Sequence, residues 1–327
     1  MSRARTAILL LAGVSIIVIM IHLAGTGEII EVLLGADPII FLAAACQVIA
    51  ILMWSLRWKI LVDTFQPVAF KTMVLGVLIG LFFSNITPVA RAGGEPFRAY
   101  YLEKKVNIPF EDAFATIVVD RILDSIPFMV IIAGSLTYFV LRLEISTQVV
   151  IILISIFILN IFLLSLVLYF SFNVRAAKKL VNFVFKFVSK LSKKNYQNRI
   201  EKAVEQYHNA IQRYSSQRRN LTLSLCVSGA FWVFLILRSY LVIVALGYYM
   251  PFAGVAVVQT VGPSVGILPL LPGGVGSVDG TMVFLYTLFR FSYVVAVSIS
   301  LVDRFISFWV PTLVGGLSVL AERDFLK

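Results

Sequence analysis

The chain has 327 residues, 60% of them apolar and 14% charged, with a net charge of +11 and a mean hydropathy of +0.95. A soluble domain averages roughly 45–50% apolar and about 25% charged, so this much apolar surface needs the bilayer as its solvent. The basic excess is no nucleic-acid signal, because the Lys and Arg residues fall where the positive-inside rule puts them.

In chain order, Arg3 and Arg5 precede an apolar run from Thr6 to Ala24. That run is long for a signal peptide and reads as an uncleaved first helix. A span needs about 20 apolar residues. The other candidates are Ile39–Leu56, Leu123–Leu141, Val149–Phe172, Leu221–Leu246 and Val294–Val319. The third starts near Ala113 and so carries Asp120, Arg121 and Asp124 inside it. Two more apolar stretches are irregular. Val68–Ile86 runs into Thr87-Pro88 and Gly93-Gly94, and Phe252–Leu271 is broken by Gly262-Pro263, Pro269 and Pro272-Gly273-Gly274.

Charge decides whether those two stretches cross. If both do, the loop 173–220, with 12 Lys/Arg and 2 Glu, falls outside. If both are re-entrant, six spans remain and that loop is cytoplasmic, as are both termini. Then 23 of the 28 basic residues lie inside, with Arg121, Arg238 and Arg304 intramembrane and Arg142 and Arg290 outside. The fold class is therefore an all-α polytopic membrane protein, with 1–327 a single integral domain. It has about six transmembrane helices plus two re-entrant hairpins, and 173–220 joins the two halves.

Within that loop, Leu180 to Leu191 alternates with lysines, as in an amphipathic helix on an anionic leaflet. Ile200, Val204, Tyr207, Ile211 and Tyr214 follow a 4-3-4-3 spacing that suits a helical hairpin or short coiled coil. Cys46 and Cys226 sit in apolar runs and read as small hydrophobes. With only His22 and His208, no metal site or other cofactor is expected.

The strongest pattern is internal. Val118-Val-Asp120-Arg121-Ile resembles Leu301-Val-Asp303-Arg304-Phe, and Pro127 or Pro311 follows. Upstream of each pair stands a broken segment: Pro88-Val-Ala-Arg91-Ala-Gly93-Gly94-Glu95, and Pro269-Leu-Leu-Pro272-Gly273-Gly274-Val-Gly276-Ser-Val-Asp279. In the six-span plan the two copies enter from opposite sides, which makes an inverted-topology repeat. Transporters of this plan hold their substrate at the repeat interface.

Charges at a helix centre cost at least ~2.5–3.5 kcal/mol each on insertion scales, so these must pair or face water. Asp120 is expected to pair across the pseudo-two-fold with Arg304, and Asp303 with Arg121. Arg121 can also reach Asp124 at i,i+3. Helices restarting after Gly94 and Gly276 aim amides and a positive dipole at the breaks. Arg91 and Arg98 add cations there, and Glu95 and Asp279 add carboxylates. The donors suit a phosphate and the carboxylates suit an amine. No hydrolase, metalloprotease, nucleotide or dinucleotide motif is present, so no enzyme is expected.

The motifs Pro88-Val-Ala-Arg-Ala-Gly-Gly-Glu95-Pro-Phe-Arg98, Asp120-Arg121 and Pro272-Gly-Gly-Val-Gly276-Ser-Val-Asp279 resemble the flippase-like transmembrane family, the membrane region of lysylphosphatidylglycerol synthases. The resemblance covers nearly the whole chain. It implies a plasma-membrane protein that moves a lipid with an anionic or aminoacylated headgroup between leaflets. In full-length synthases a soluble domain aminoacylates phosphatidylglycerol. This chain ends at Lys327 without such a domain, so no aminoacylation is expected. The family usually carries Glu where Asp279 stands.

The expected translocation site is Arg91, Gly93, Gly94, Glu95, Arg98, Asp120, Arg121, Asp124, Gly273, Gly274, Gly276, Asp279, Asp303 and Arg304. The expected partners are membrane lipids, and a homo-oligomer is compatible with the plan. The alternatives are a small-solute or ion transporter, and an accessory protein or enzyme of lipid or lipid-linked glycan metabolism.

Overall fold

The computed structural model describes residues 3–87, 93–142, 147–179, 197–265 and 271–326. Every regular element among them is helical.

Helix α1 (Arg3–Ala24) ends at Gly25, whose φ of 86° lies in the left-handed region that a Cβ disfavours. The chain turns there by 85° into α2 (Thr26–Leu34). In the six-span plan, with a cytoplasmic N-terminus, this stretch would be an outside loop. Yet Ile29 of α2 is buried and the helix lies on α12 (Tyr293–Arg304).

Among the described residues, three helices are long and apolar enough to cross a bilayer: α3 (Ile40–Val62), α9 (Arg218–Ala245) and the continuous stretch Tyr293–Ala321. The bent pair α1–α2 would make a fourth. The 33-residue α6 (Phe110–Arg142) carries Glu111, Asp112, Asp120, Arg121 and Asp124 in its first half, with Pro127 after them. Helix α7 (Thr147–Phe172) is mostly apolar and carries no charged residue.

The two irregular stretches form shorter helices. These are α4 (Phe70–Ile86, 17 residues) and α10 (Phe252–Val265, 14 residues). At about 1.5 Å per residue they reach roughly 25 and 21 Å, short of a hydrocarbon core of about 30 Å. Each is followed by a 12-residue helix, α5 (Glu95–Val106) or α11 (Ser277–Leu288). Both restarts lie where the Gly-rich breaks put them.

The packing is reciprocal. The long helices α3 and α9 lie against each other. Helix α4 packs on α13 (Val310–Ala321), and α10 packs on α6. Within each half the same neighbours recur: α4 with α5 and α5 with α6, then α10 with α11 and α11 with α12. The α4–α13 crossing is close because Gly315 and Gly316 face Leu78 and Phe82, leaving no room for a side chain at Gly315.

One irregularity has a simple cause. Six positions separate Arg121 from Pro127, but seven separate Arg304 from Pro311. Between the latter the chain makes a π-helical turn, Phe305–Trp309. Such a turn absorbs one extra residue, which returns Pro311 to the register of Pro127.

Helix α8 (Gln197–Ser215) is the second half of the basic loop. Its apolar stripe does not form a coiled coil with a second loop helix among the described residues. Ala210, Ile211 and Tyr214 pack instead on Leu61, Ala115, Val119 and Leu123, and the Tyr214 hydroxyl donates to the Leu61 carbonyl at 2.9 Å. Lys178 pairs with Glu205 at 2.6 Å and tethers the helix from the other side. Most of the proposed amphipathic segment, 180–196, lies outside the described residues.

Candidate functional site: two neutral ion networks around a central cavity

The first network begins at a residue that sequence reasoning missed. Arg57 of α3 reads as the first cytoplasmic position after a span ending at Leu56, but the fold buries it. Its Nε donates to Asp120 Oδ1 at 2.6 Å. Its Nη1 donates to Asp124 Oδ1 at 2.6 Å and to Ser228 Oγ at 2.7 Å. Asp120 also accepts from Trp54 Nε1 at 2.9 Å and Arg98 Nη2 at 3.3 Å. Arg98 reaches back one turn to Glu95 at 2.9 Å, and Glu95 Oε1 accepts from Arg121, its Nε lying at 2.6 Å. The result is an alternating row: Asp124, Arg57, Asp120, Arg98, Glu95, Arg121.

Local sequence makes this possible. Glu95 and Arg98 are i,i+3 in the first turn of α5. A Cβ on Gly80 would stand 2.5 Å from the Arg98 methylenes, so glycine lets that side chain lie flat on α4. Arg98 lies 4.0 Å from the Trp58 ring centroid, and Trp54 is flanked by Arg98 at 5.1 Å and Arg121 at 4.9 Å. Cation–π contact of this kind attracts the guanidiniums to the indole faces.

The second network is built on α9 and α12. Arg238 forms a two-pronged pair with Asp303, Nε to Oδ1 at 3.1 Å and Nη2 to Oδ2 at 3.0 Å. Gln47, Gln259 and Ser239 complete its shell. Arg304 donates to Asp279 at 3.1 Å and to the Gly273 carbonyl at 3.3 Å. Asp279 also accepts from the Gly276 amide at 2.8 Å, while the Gly94 amide donates to Ser84 Oγ at 3.0 Å. The first amide of each restart is thus taken by the protein's own side chains.

The expected pairing across the two halves is therefore corrected. Asp120 does not meet Arg304, nor Asp303 Arg121, and Arg121 goes to Glu95 rather than Asp124. Each Asp is neutralised by an arginine 63 or 65 positions earlier, on the long helix of its own half. That spacing, with Leu56-Arg57 matching Leu237-Arg238, is the signal that could have found Arg57. The physical reason is desolvation. A buried ion costs several kcal/mol unless a well-aligned partner is at hand, and α3 and α9 bring one to each Asp.

Between the networks lies a cavity of roughly 1250 Å³, open solvent at its mouth included. Its wall draws on Gln47, Trp54 and Arg57 of α3, Ser84 and Asn85 of α4, Arg121 and Asp124 of α6, Arg238 of α9 and Gln259 of α10. Gly273, Asp303, Arg304 and Phe308 close the other side. Of the expected site residues, Arg121, Asp124, Gly273, Asp303 and Arg304 line it. Glu95, Asp120 and Asp279 are not in the lining but hold its arginines, and Arg98 links Glu95 to Asp120. Gly93, Gly94, Gly274 and Gly276 shape the breaks and are not part of the lining. Arg91 lies outside the described residues. Among the described residues, no cluster of His, Cys, Asp or Glu could hold a metal.

Arg121 and Asp124 keep 34% and 17% of their side-chain surface and Arg304 keeps 12%, whereas the other ionised side chains of the two networks keep 10% or less. The most exposed charges of the lining are thus two guanidiniums and one carboxylate. Chemically, that face can hold a phosphate or another oxyanion.

A model of the lysylphosphatidylglycerol synthase TM region matches residues 7–315. The chain belongs to that family. Its relatives include a UPF0104 membrane protein of Methanothermobacter thermautotrophicus, 31% identical over 94% of this chain and 93% of the relative. Another is a UPF0104 membrane protein of Methanocaldococcus jannaschii, 32% identical over 96% and 94%. Glycosyltransferase AglD of Haloferax volcanii is 26% identical over 91% of this chain and 51% of that protein. No solved structure matches. The family match spans both ion networks and the cavity between them, and it establishes an integral membrane protein.

Proposed function

We propose that this protein moves a phospholipid or lipid-linked precursor between membrane leaflets. The observation that carries this is the central cavity, whose lining includes both Arg121 and Arg304 together with apolar residues such as Phe231 and Leu235. An anionic or aminoacylated headgroup would sit against the guanidiniums while the acyl tails stay in lipid. Glu95 and Asp279 orient the two arginines and need not touch the ligand.

The six-span plan with two re-entrant hairpins is part of this proposal. Its support is the shortness of α4 and α10 and the reciprocal contacts of α4 with α13 and α10 with α6. In that plan the two halves are inverted copies, and the α6 and α12 helices rock against each other about the cavity. The plasma membrane, with both termini cytoplasmic, is the location this implies.

The test is reconstitution into liposomes carrying leaflet-specific labelled lipids. Faster exchange of at least one anionic, aminoacylated or polyprenyl-linked lipid than in protein-free vesicles is expected. No acceleration for any of the three classes would refute the proposal. A second reading, an accessory role beside a glycan-transferring enzyme, is favoured by the match to a protein named a glycosyltransferase. Copurification with such an enzyme, with no lipid exchange, would favour it.

A further inference from the structure

We infer that Asp124 is a proton-binding site, and that a proton taken up there accompanies each net negative charge the cavity accepts. The inference takes its ligand, an anionic headgroup, from the proposed function, and adds how the charge of that ligand is met.

The premise is charge balance. The first network holds Arg57, Arg98 and Arg121 against Glu95, Asp120 and Asp124, and the second holds Arg238 and Arg304 against Asp279 and Asp303. Among the described residues both are neutral with their carboxylates ionised. A phosphate monoanion arriving alone would leave an unbalanced charge in a desolvated site, at a cost of several kcal/mol. A protonated carboxylate removes that imbalance.

Geometry selects Asp124 among the five carboxylates. It ends the alternating row, so it has one guanidinium partner where Asp120 and Glu95 have two each. It is also the most exposed of the five, at 17% against 10% or less, and it lines the cavity, so water can deliver a proton. Its partner has capacity to spare: the buried Nη2 of Arg57 has no hydrogen-bond partner among the described residues. The equivalent position in the second half, four residues after Asp303, is Ser307, so the repeat supplies this group once.

The groups facing Asp124 are few. Arg57 approaches from α3, Ser228 from α9, and Arg121 lies on its own helix. Helix α5 contributes Glu95 and Arg98 through the row. The cavity lining also holds Arg238, Asp303 and Arg304. Helices α7 and α10 carry no charged residue, and α8 offers Tyr207 and Tyr214 on the Leu61–Val119 side.

In the step itself, a solvent proton bonds to an Asp124 carboxylate oxygen and the Asp124–Arg57 ion pair is lost. The Arg57 Nη1 proton then turns to a phosphate oxygen. One positive and one negative charge enter together, and nothing is oxidised or reduced.

The experiment is calorimetric titration of the purified protein with short-chain phosphatidylglycerol, in buffers of different ionisation enthalpy. About one proton taken up per lipid bound is expected for the unmodified chain, and near none for Asp124→Asn. Binding without proton uptake overturns the inference. If the probe does not bind, the ligand assignment fails separately, and tryptophan fluorescence decides the proton site. Trp232 donates its indole to the Asp124 carbonyl at 3.3 Å and reports on this residue. A pH step present in the unmodified chain and in Asp124→Glu, but lost in Asp124→Asn, supports the site. The same step in all three refutes it.

Discussion

Among single residues, the buried carboxylates are each held by an arginine. Removing one partner strands a charge. Asp120→Asn and Asp303→Asn should each lower stability by about 3–5 kcal/mol, read as thermal unfolding in detergent. Asp63→Asn removes a half-exposed pair with Lys59 and should cost less than about 1 kcal/mol. Glycines sort in the same way. A Cβ at Gly94 would run into the Gly80 carbonyl and Ser84, and one at Gly315 into the Leu78 carbonyl, whereas one at Gly134 meets nothing within 4 Å. Alanine at the first two should therefore unfold the protein at lower temperature. Alanine at Gly134 should leave stability unchanged or raise it, since glycine inside a helix costs up to about 1 kcal/mol.

At the level of elements, the ion pairs tie each broken segment to the Asp-Arg helix of its own half. A double-mutant cycle between Arg121→Ala and Glu95→Ala should show a coupling energy of about 0.5–3 kcal/mol. The cycle between Arg121→Ala and Asp303→Ala should show a clearly smaller one. Equal couplings would restore the cross-repeat pairing that the geometry rejects. Helix α8 gives a pH test. The hydrogen bond from Lys178, and then its charge, hold the Glu205 carboxyl below its ordinary value. The tether is therefore complete above the ordinary glutamate range and is lost as pH falls through the lowered value. Hydrogen exchange in α8 should rise on acidification in that window, and Lys178→Ala should show the raised exchange already at neutral pH.

For the whole molecule, the prediction concerns sidedness. Cysteines placed singly in 197–217, in a Cys226→Ser background, should resist impermeant maleimide added to intact cells and react after permeabilisation. Labelling from outside would refute the six-span plan. It would also leave the two halves without opposed orientations, and the central cavity without its inverted-repeat account.

Hydropathy and the loop charge identify a multi-pass helical membrane protein from the sequence alone, because the bilayer filters for apolar length whatever the tertiary partners are. The Gly-rich breaks are equally local: α11 restarts at Ser277 because Gly276 takes a left-handed φ of 82°, and α5 restarts at Glu95 because Gly94 lets the chain approach Gly80 and Ser84 closely. Even the extra residue before Pro311 is countable in the sequence, although its absorption in a π-helical turn is not. What only the tertiary structure decided is who neutralises whom. Ion pairing is a choice among partners at similar sequence cost, and it is settled by which helices pack together. The α3–α9 contact sets Arg57 and Arg238 between the two halves, so Asp120 and Asp303 turn to them. That leaves Arg121, Arg304 and Asp124 as the most exposed charges of the cavity wall.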